Sequence, residues 1–156
     1  MKTLYDVGEG RVFMAAEMLR FPAAPKQAAL RERGITMVVN LWHGRDDEIA
    51  EVTEYLHAPL SDGKLSDGHL AHLDALATLA ARHLGEGGTV LCQCQGGRNR
   101  SGLLAGLTLC YWLGISGSDA LERVRAGRGA VAVGNHHFAR WLASIPASSA
   151  AGSVPS

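Results

Sequence analysis

The stretch Thr89-Val90-Leu91-Cys92-Gln93-Cys94-Gln95-Gly96-Gly97-Arg98-Asn99-Arg100-Ser101 runs from a short apolar segment, through a loop with two glycines, into an apolar region. Thr89 to Gln93, with Val90, Leu91 and Cys92 at its centre, reads as a core strand. A helix is expected to follow, from Arg100 to Leu113. Between them a cysteine and an arginine stand six positions apart. Gly96 and Gly97 open backbone angles closed to other residues, so successive amide N–H groups can turn inward and form an anion-binding nest. The first turn of the helix adds unpaired N–H donors and the positive end of its dipole. Such a concavity suits a phosphate dianion, and the same field favours a thiolate over a thiol. Arg100 can offer two phosphoryl oxygens a planar fork of donors, a geometry that Lys cannot copy.

Outward from this loop, the chain alternates between the two periodicities. Leu4 to Val7 and Arg11 to Met14 read as short strands split by the turn Gly8-Glu9-Gly10, and Pro25 to Arg33 as a helix stopped by Gly34. Ile35 to Leu41 is a second buried strand, followed by a polar loop from Trp42 through Asp47 in which Asp46 and Asp47 are expected to be solvated. Tyr55 to Leu60 is a further strand, ending at Ser61-Asp62-Gly63. Ser66 or Asp67 then caps a helix whose Leu70, Leu73, Ala77, Ala80 and Leu84 recur at helical spacing, and Gly85 ends it. Two short helices are expected near Asp119 to Arg125 and Asn135 to Ser144. The pattern predicts a single α/β domain with a central, mostly parallel sheet of about four or five strands flanked by helices. The phosphate-binding loop then lies between a core strand and a helix, at the strand ends where ligands gather. Residues 1–146 are expected to form this domain. Ala147 to Ser156, without charge or periodicity, are expected to be a mobile tail.

Composition narrows the function classes. A chain of 156 residues fits one core, and 47% hydrophobic with 19% charged residues excludes a disordered chain. Fifteen Lys and Arg against fifteen Asp and Glu leave no basic excess to suggest nucleic acid. Asp6, Gly8, Glu9 and Arg11 interrupt any apolar leader, and Gly102 to Ile115 is too short to cross a bilayer. Three cysteines, two of them one residue apart in a strand, do not make a secreted disulfide framework. A disulfide between Cys92 and Cys94 would be badly strained, and Cys92 reads as a core thiol. A cytoplasmic monomer without membrane contact, metal or cofactor is the expectation. His69 with His72 and His136 with His137 make no metal set with the cysteines.

Cys94-x5-Arg100-Ser101 after a hydrophobic strand resembles the signature of the cysteine-dependent protein tyrosine phosphatase superfamily. The order of elements is most similar to its dual-specificity branch, over about residues 3 to 145. The resemblance implies that Cys94 attacks phosphorus, Arg100 holds the oxygens and Ser101 helps the thiolate leave. Gln95, Gly96, Gly97, Arg98 and Asn99 complete the phosphate-binding loop. It further implies a general acid on a loop after the preceding strand. Asp62 fits, although Asp67-Gly68 repeats its turn pair and Asp-Gly is a common turn in its own right. Arg128 and Asn135 lie in segments that, by the same resemblance, approach the phosphate loop and could support it by hydrogen bonds.

The implied activity is hydrolysis of phosphomonoesters on proteins, at phosphotyrosine and with phosphoserine and phosphothreonine as further candidates. Two readings stay open beside it. Arg98, a second cation in the loop, either faces solvent or meets extra negative charge, which keeps inositol phosphates, phosphoinositides and RNA 5′-triphosphates as substrates; only the last would make nucleic acid a partner. Gln93 stands where the family usually has His and cannot be cationic, so weaker thiol activation, or a phosphate-binding module of low activity, is the other reading. His43 and Arg45, on the loop after Leu41, are candidates to border the cleft.

Overall fold

The computed structural model describes residues 4–148; residues 1–3 and 149–156, which include most of the expected tail, lie outside the described residues. Strands β1 (Tyr5–Gly8) and β2 (Val12–Ala16) form a hairpin. Its turn places Glu9 and Gly10 at φ 56° and 68°, the left-handed pair that follows the right-handed twist of the strands. Helix α1 (Ala23–Glu32), β3 (Met37–Asn40), a short α2 (Asp47–Ala50) and β4 (Glu54–His57) come next. They are followed by α3 (Asp67–Gly85), β5 (Val90–Cys94), α4 (Arg100–Leu113), α5 (Gly117–Arg128) and α6 (His136–Ala143). The sheet order is β1-β2-β5-β3-β4, antiparallel between β1 and β2 and parallel elsewhere. The expected single α/β domain with a mostly parallel sheet is therefore what the chain forms.

The central position of β5 explains its unbroken burial. Val90, Cys92 and Cys94 face the larger core, with α3, α4, α5 and α6, while Leu91 faces the smaller one beneath α1 and α2. Neighbouring strands alternate in the same way, Val12 and Met14 to one side and Phe13 and Ala15 to the other. Helix α4 is buried continuously from Ser101 to Cys110, as an all-round apolar helix must be. The sheet therefore delivers the end of β5 to the start of a fully enclosed helix.

One region departs from the sequence reading. The loop expected to be polar and solvated contains α2, and Asp46 is only 2% exposed. Its carboxylate caps α2 through the Ile49 amide at 3.3 Å and meets the Nζ of Lys26, itself without solvent exposure, at 3.1 Å. Glu48 takes the same Nζ at 2.7 Å. Burial pulls the Lys26 pKa down, but the bonds and charges of Glu48 and Asp46 outweigh it, so the net shift is upward. A four-residue helix has too little periodicity to be seen in sequence, and the ion pair joins residues twenty positions apart. Asp47 is exposed, as expected. At α3, Ser66 is the cap, exchanging bonds with His69 at 3.2 Å in both directions.

Candidate active site

The loop after β5 is fixed from outside. Gly97 sits at φ 64°, and a Cβ there would lie 2.5 Å from Ala16 N and 2.6 Å from Ala15 C. Arg128 Nε donates to the Gly97 carbonyl at 2.8 Å, while its guanidinium lies 4.2 Å from the centre of the Tyr5 ring. The Val133 amide donates to Arg98 O at 3.1 Å, and Val133 takes φ 54°. Arg125 pins that turn by donating to Ala132 O and Val133 O at 3.0 and 3.1 Å. On the other side the Glu17 amide reaches Gln95 O at 3.4 Å. The Gln95, Gly97 and Arg98 carbonyls are thus engaged by groups outside the loop. The amides of Gly96, Gly97, Arg98 and Asn99 donate to no protein acceptor among the described residues. Four free donors in succession are what an anion-binding nest requires.

Cys94, Asp62 and Arg100 line one cavity of about 480 Å3 with Gln95, Gly96, Arg98 and Asn99. Cys94 is buried, its Sγ 3.3 Å from Ser101 Oγ; when the sulfur is a thiolate, the hydroxyl is the donor of this bond. Arg100 spends one donor on Leu60 O at 3.2 Å, and its Nε is buried with no partner. An unpartnered guanidinium donor beside four free amides is a cost that an oxyanion in the cavity would remove.

Asp62 is clamped. Asn99 Nδ2 donates to Oδ2 at 3.0 Å, and Asn135 Nδ2 donates to Oδ1 at 2.9 Å and to Gly63 O at 3.2 Å. Asn99 Oδ1 in turn accepts the Asn135 amide at 3.2 Å. The carboxylate is thereby tied to both the phosphate loop and the start of α6. Asp67, the rival turn aspartate, is exposed in the first turn of α3 and lines none of this.

The remaining candidates divide. His43 borders a neighbouring cavity of about 240 Å3 that shares Arg100, whereas Arg45 pairs with Asp47 at 2.7 Å, stacks over Tyr55 and lines neither cavity. Gln93 lies on the sheet face opposite Cys94, donates to Ala16 O at 3.3 Å and leaves its Oε1 buried without a partner. Cys92 is buried in the core, and burial first, then the neighbouring Cys94, raises its pKa strongly. Of the two residues expected to support the loop, Arg128 bonds its Gly97 carbonyl, while Asn135 bonds Asn99 through its amide and Asp62 through its side chain. Asn135, expected at the start of a helix, caps it, its Oδ1 accepting the His137 amide at 2.9 Å; its contact 73 positions away had no sequence signal. The Leu60 carbonyl carried no sequence signal at all.

Chemically, the cavity brings together a nucleophilic sulfur, a set of oxyanion donors and a carboxyl group able to exchange a proton. Among the described residues no three His, Cys, Asp or Glu side chains form a metal-binding group, and no helix is long and apolar enough to cross a membrane. The family described as dual specificity phosphatase, catalytic domain, matches residues 19–146. No curated protein matches the sequence. Human DUSP28 is similar at 27% identity and a TM-score of 0.75 over 91% of each chain. Tk-PTP in its active form is 25% identical, with a TM-score of 0.73 over 91% of this chain and 97% of that one. The chain therefore belongs to the dual specificity phosphatase catalytic domain family, and its activity is that of a cysteine-dependent protein tyrosine and dual-specificity phosphatase.

Proposed function

We propose that Cys94 is the nucleophile of this activity, Arg100 and the free loop amides the oxyanion donors, Asp62 the general acid and base, and Ser101 the donor to the departing sulfur. In the first step the S–P bond forms as the bond from phosphorus to the leaving oxygen breaks, and the proton of Asp62 goes to that oxygen. In the second, water attacks phosphorus, its proton passes to the Asp62 carboxylate, and the sulfur leaves while accepting from Ser101. Arg100 gains most as charge spreads over the equatorial oxygens. The observation that carries the reading is the convergence of Cys94, Asp62 and Arg100 on one cavity.

Phosphotyrosine on proteins is the substrate we favour. Leu19, Phe21 and Val131 are 41%, 40% and 60% exposed, and they sit on segments hydrogen-bonded to the phosphate loop through Glu17 and Val133. Exposed apolar side chains on segments bonded to this loop suit an aryl ester and its flanking peptide. Arg98 supports the second reading, a polyanionic phosphate, because it is exposed at the cavity and its side chain has no bonding partner among the described residues. A reducing cytoplasm suits the three free, buried cysteines. Phosphate release is measured across phosphotyrosine and phosphothreonine peptides, phosphoinositides, inositol phosphates and 5′-triphosphorylated RNA. Turnover of the phosphotyrosine peptides, abolished in Cys94→Ser, is the expected result. Turnover that survives this change would sink the mechanism.

A further inference from the structure

A second cavity, of about 400 Å3, is lined by the chain just after Asp62, by Leu70 and by α6. Leu65, Leu70 and Trp141 give it an apolar floor, and Lys64, His137 and Arg140 a basic rim. It shares no lining residue with the phosphate cavity but is close to it along the chain. Lys64 is two positions from Asp62, within about 7 Å along the chain, and His137 is two positions after the Asn135 that holds Asp62 and Gly63.

The charge pattern is the argument. The chain as a whole is neutral, yet these two cavities carry Arg98, Arg100, Lys64 and Arg140 against a single carboxylate, Asp62. That carboxylate already accepts from two asparagines. Lys64, Arg98 and Arg140 form no salt bridge among the described residues; Lys26, Arg45 and Arg123 hold the pairs, away from this face. Unpaired cations around an apolar floor match a ligand with carboxylates beside a large apolar side chain. A bare inorganic anion leaves the floor unused, and a bilayer surface does not fill a concave cavity. We propose that this cavity is a recognition subsite for an acidic segment of the phosphoprotein substrate, flanking the phosphorylated residue and seating an apolar side chain on Trp141. The proposal rests on the phosphoprotein reading above and adds a sequence preference to it.

Two phosphotyrosine peptides of equal length test it. One carries Asp-Leu and Glu-Leu pairs on both sides of the phosphotyrosine, the other Asn-Leu and Gln-Leu. An exposed cation–carboxylate contact is worth up to about fivefold, so the two rim cations should give the acidic peptide a preference of up to about 25-fold, carried by KM. The preference shrinks as salt is raised. Lys64→Glu and Arg140→Glu each reduce it, and the double change removes or reverses it. Equal kcat/KM for both peptides in the unaltered chain, or a preference that survives the double change, would overturn the subsite. Hydrolysis of p-nitrophenyl phosphate separates the two readings. Turnover of it without peptide discrimination defeats only the subsite, while silence on all three substrates defeats the phosphatase assignment of Cys94. A measurement independent of turnover is the Trp141 indole N–H signal of the Cys94→Ser chain. It should shift on addition of the unphosphorylated acidic peptide. No shift, or a shift only with phosphatidylcholine–phosphatidylserine vesicles, counts against the proposal.

Discussion

Asn135→Ser isolates the clamp on Asp62 from everything else that Asn135 does. Asn135 has two jobs: its Oδ1 caps α6, accepting from His137 and Phe138 at 2.9 and 3.4 Å, and its Nδ2 holds Asp62 and Gly63 at 2.9 and 3.2 Å. Serine caps a helix about as well as asparagine, but its side chain is too short to reach Asp62. The variant therefore keeps α6 and loses two hydrogen bonds, one of them to a charged acceptor and so worth about 1.5–3 kcal/mol. Asn99 still binds the other carboxylate oxygen, so Asp62 is loosened rather than released. A misplacement of about 1 Å in a reacting group costs on the order of 100-fold in rate. Turnover of phenyl phosphate, a poor leaving group that needs the proton, should fall by about that factor. The kcat/KM of a fluorinated aryl phosphate, whose leaving oxygen does not need the proton, should change little. Steady-state kcat/KM on the two substrates gives the answer, because it reports transfer to Cys94 and not the later hydrolysis that Asp62 also serves, with Asp62→Asn as the reference for complete loss of the acid. A fall of the same size on both would place Asn135 in phosphate binding instead, and no fall on either would refute the clamp.

Gly97→Ala should lower stability by about 2–5 kcal/mol, combining the left-handed backbone penalty with overpacking against Ala15 and Ala16, whose main chain cannot swing away. A urea midpoint within error of the unaltered chain would contradict it. Lys26→Met leaves the Asp46 carboxylate buried and without its cation, at a cost of about 3–5 kcal/mol in the same assay; adding Asp46→Asn should recover part of the loss. Stability should also fall as pH rises from 9 to 11. Burial pushes the Cys110 thiol up to about 11, and Cys92, Tyr111 and Lys26 shift in the same direction. Across that window the folded chain binds more protons than the unfolded one, so unfolding gains with pH, by at most about 2–3 kcal/mol for Cys110. A urea midpoint that rises or stays level over this range would show the thiols to be solvated.

The phosphate loop was legible because its chemistry is local: sulfur, glycines, arginine and serine lie within eight consecutive positions, and the strand before and helix after them show plain periodicity. Asp62 was reachable only by resemblance, since a turn aspartate and a general acid look alike until the fold shows what surrounds them. The contacts that distinguish it come from Asn99 and Asn135, respectively 37 and 73 positions away. The same holds for Lys26, which reads as an ordinary exposed residue in a weakly amphipathic helix and is instead fully enclosed by two acidic residues from another segment. Short-range signals thus reach the atoms proposed to touch phosphate and not the long-range contacts that hold Asp62 and Lys26 in place.

That division follows from how an anion site is built into an α/β sheet. The sulfur must sit at the carboxyl end of the central strand to meet the free amides of the next helix, so its immediate chain neighbours are committed to the nest. Anything else the chemistry requires has to arrive from other crossovers. Here the segment after β4 brings Asp62 and the Leu60 carbonyl, the end of α5 brings Arg128, and the start of α6 brings Asn135. Each of these acts through one hydrogen bond or two, and each sits at the end of an element, where a small shift of the whole element moves it. The proposed general acid is the most exposed to such shifts, because Asp62 lies on a loop and is located by two amide side chains on different elements. Proton transfer should therefore be the first function lost when this fold is perturbed from a distance, before phosphate binding, which the loop and its helix secure locally.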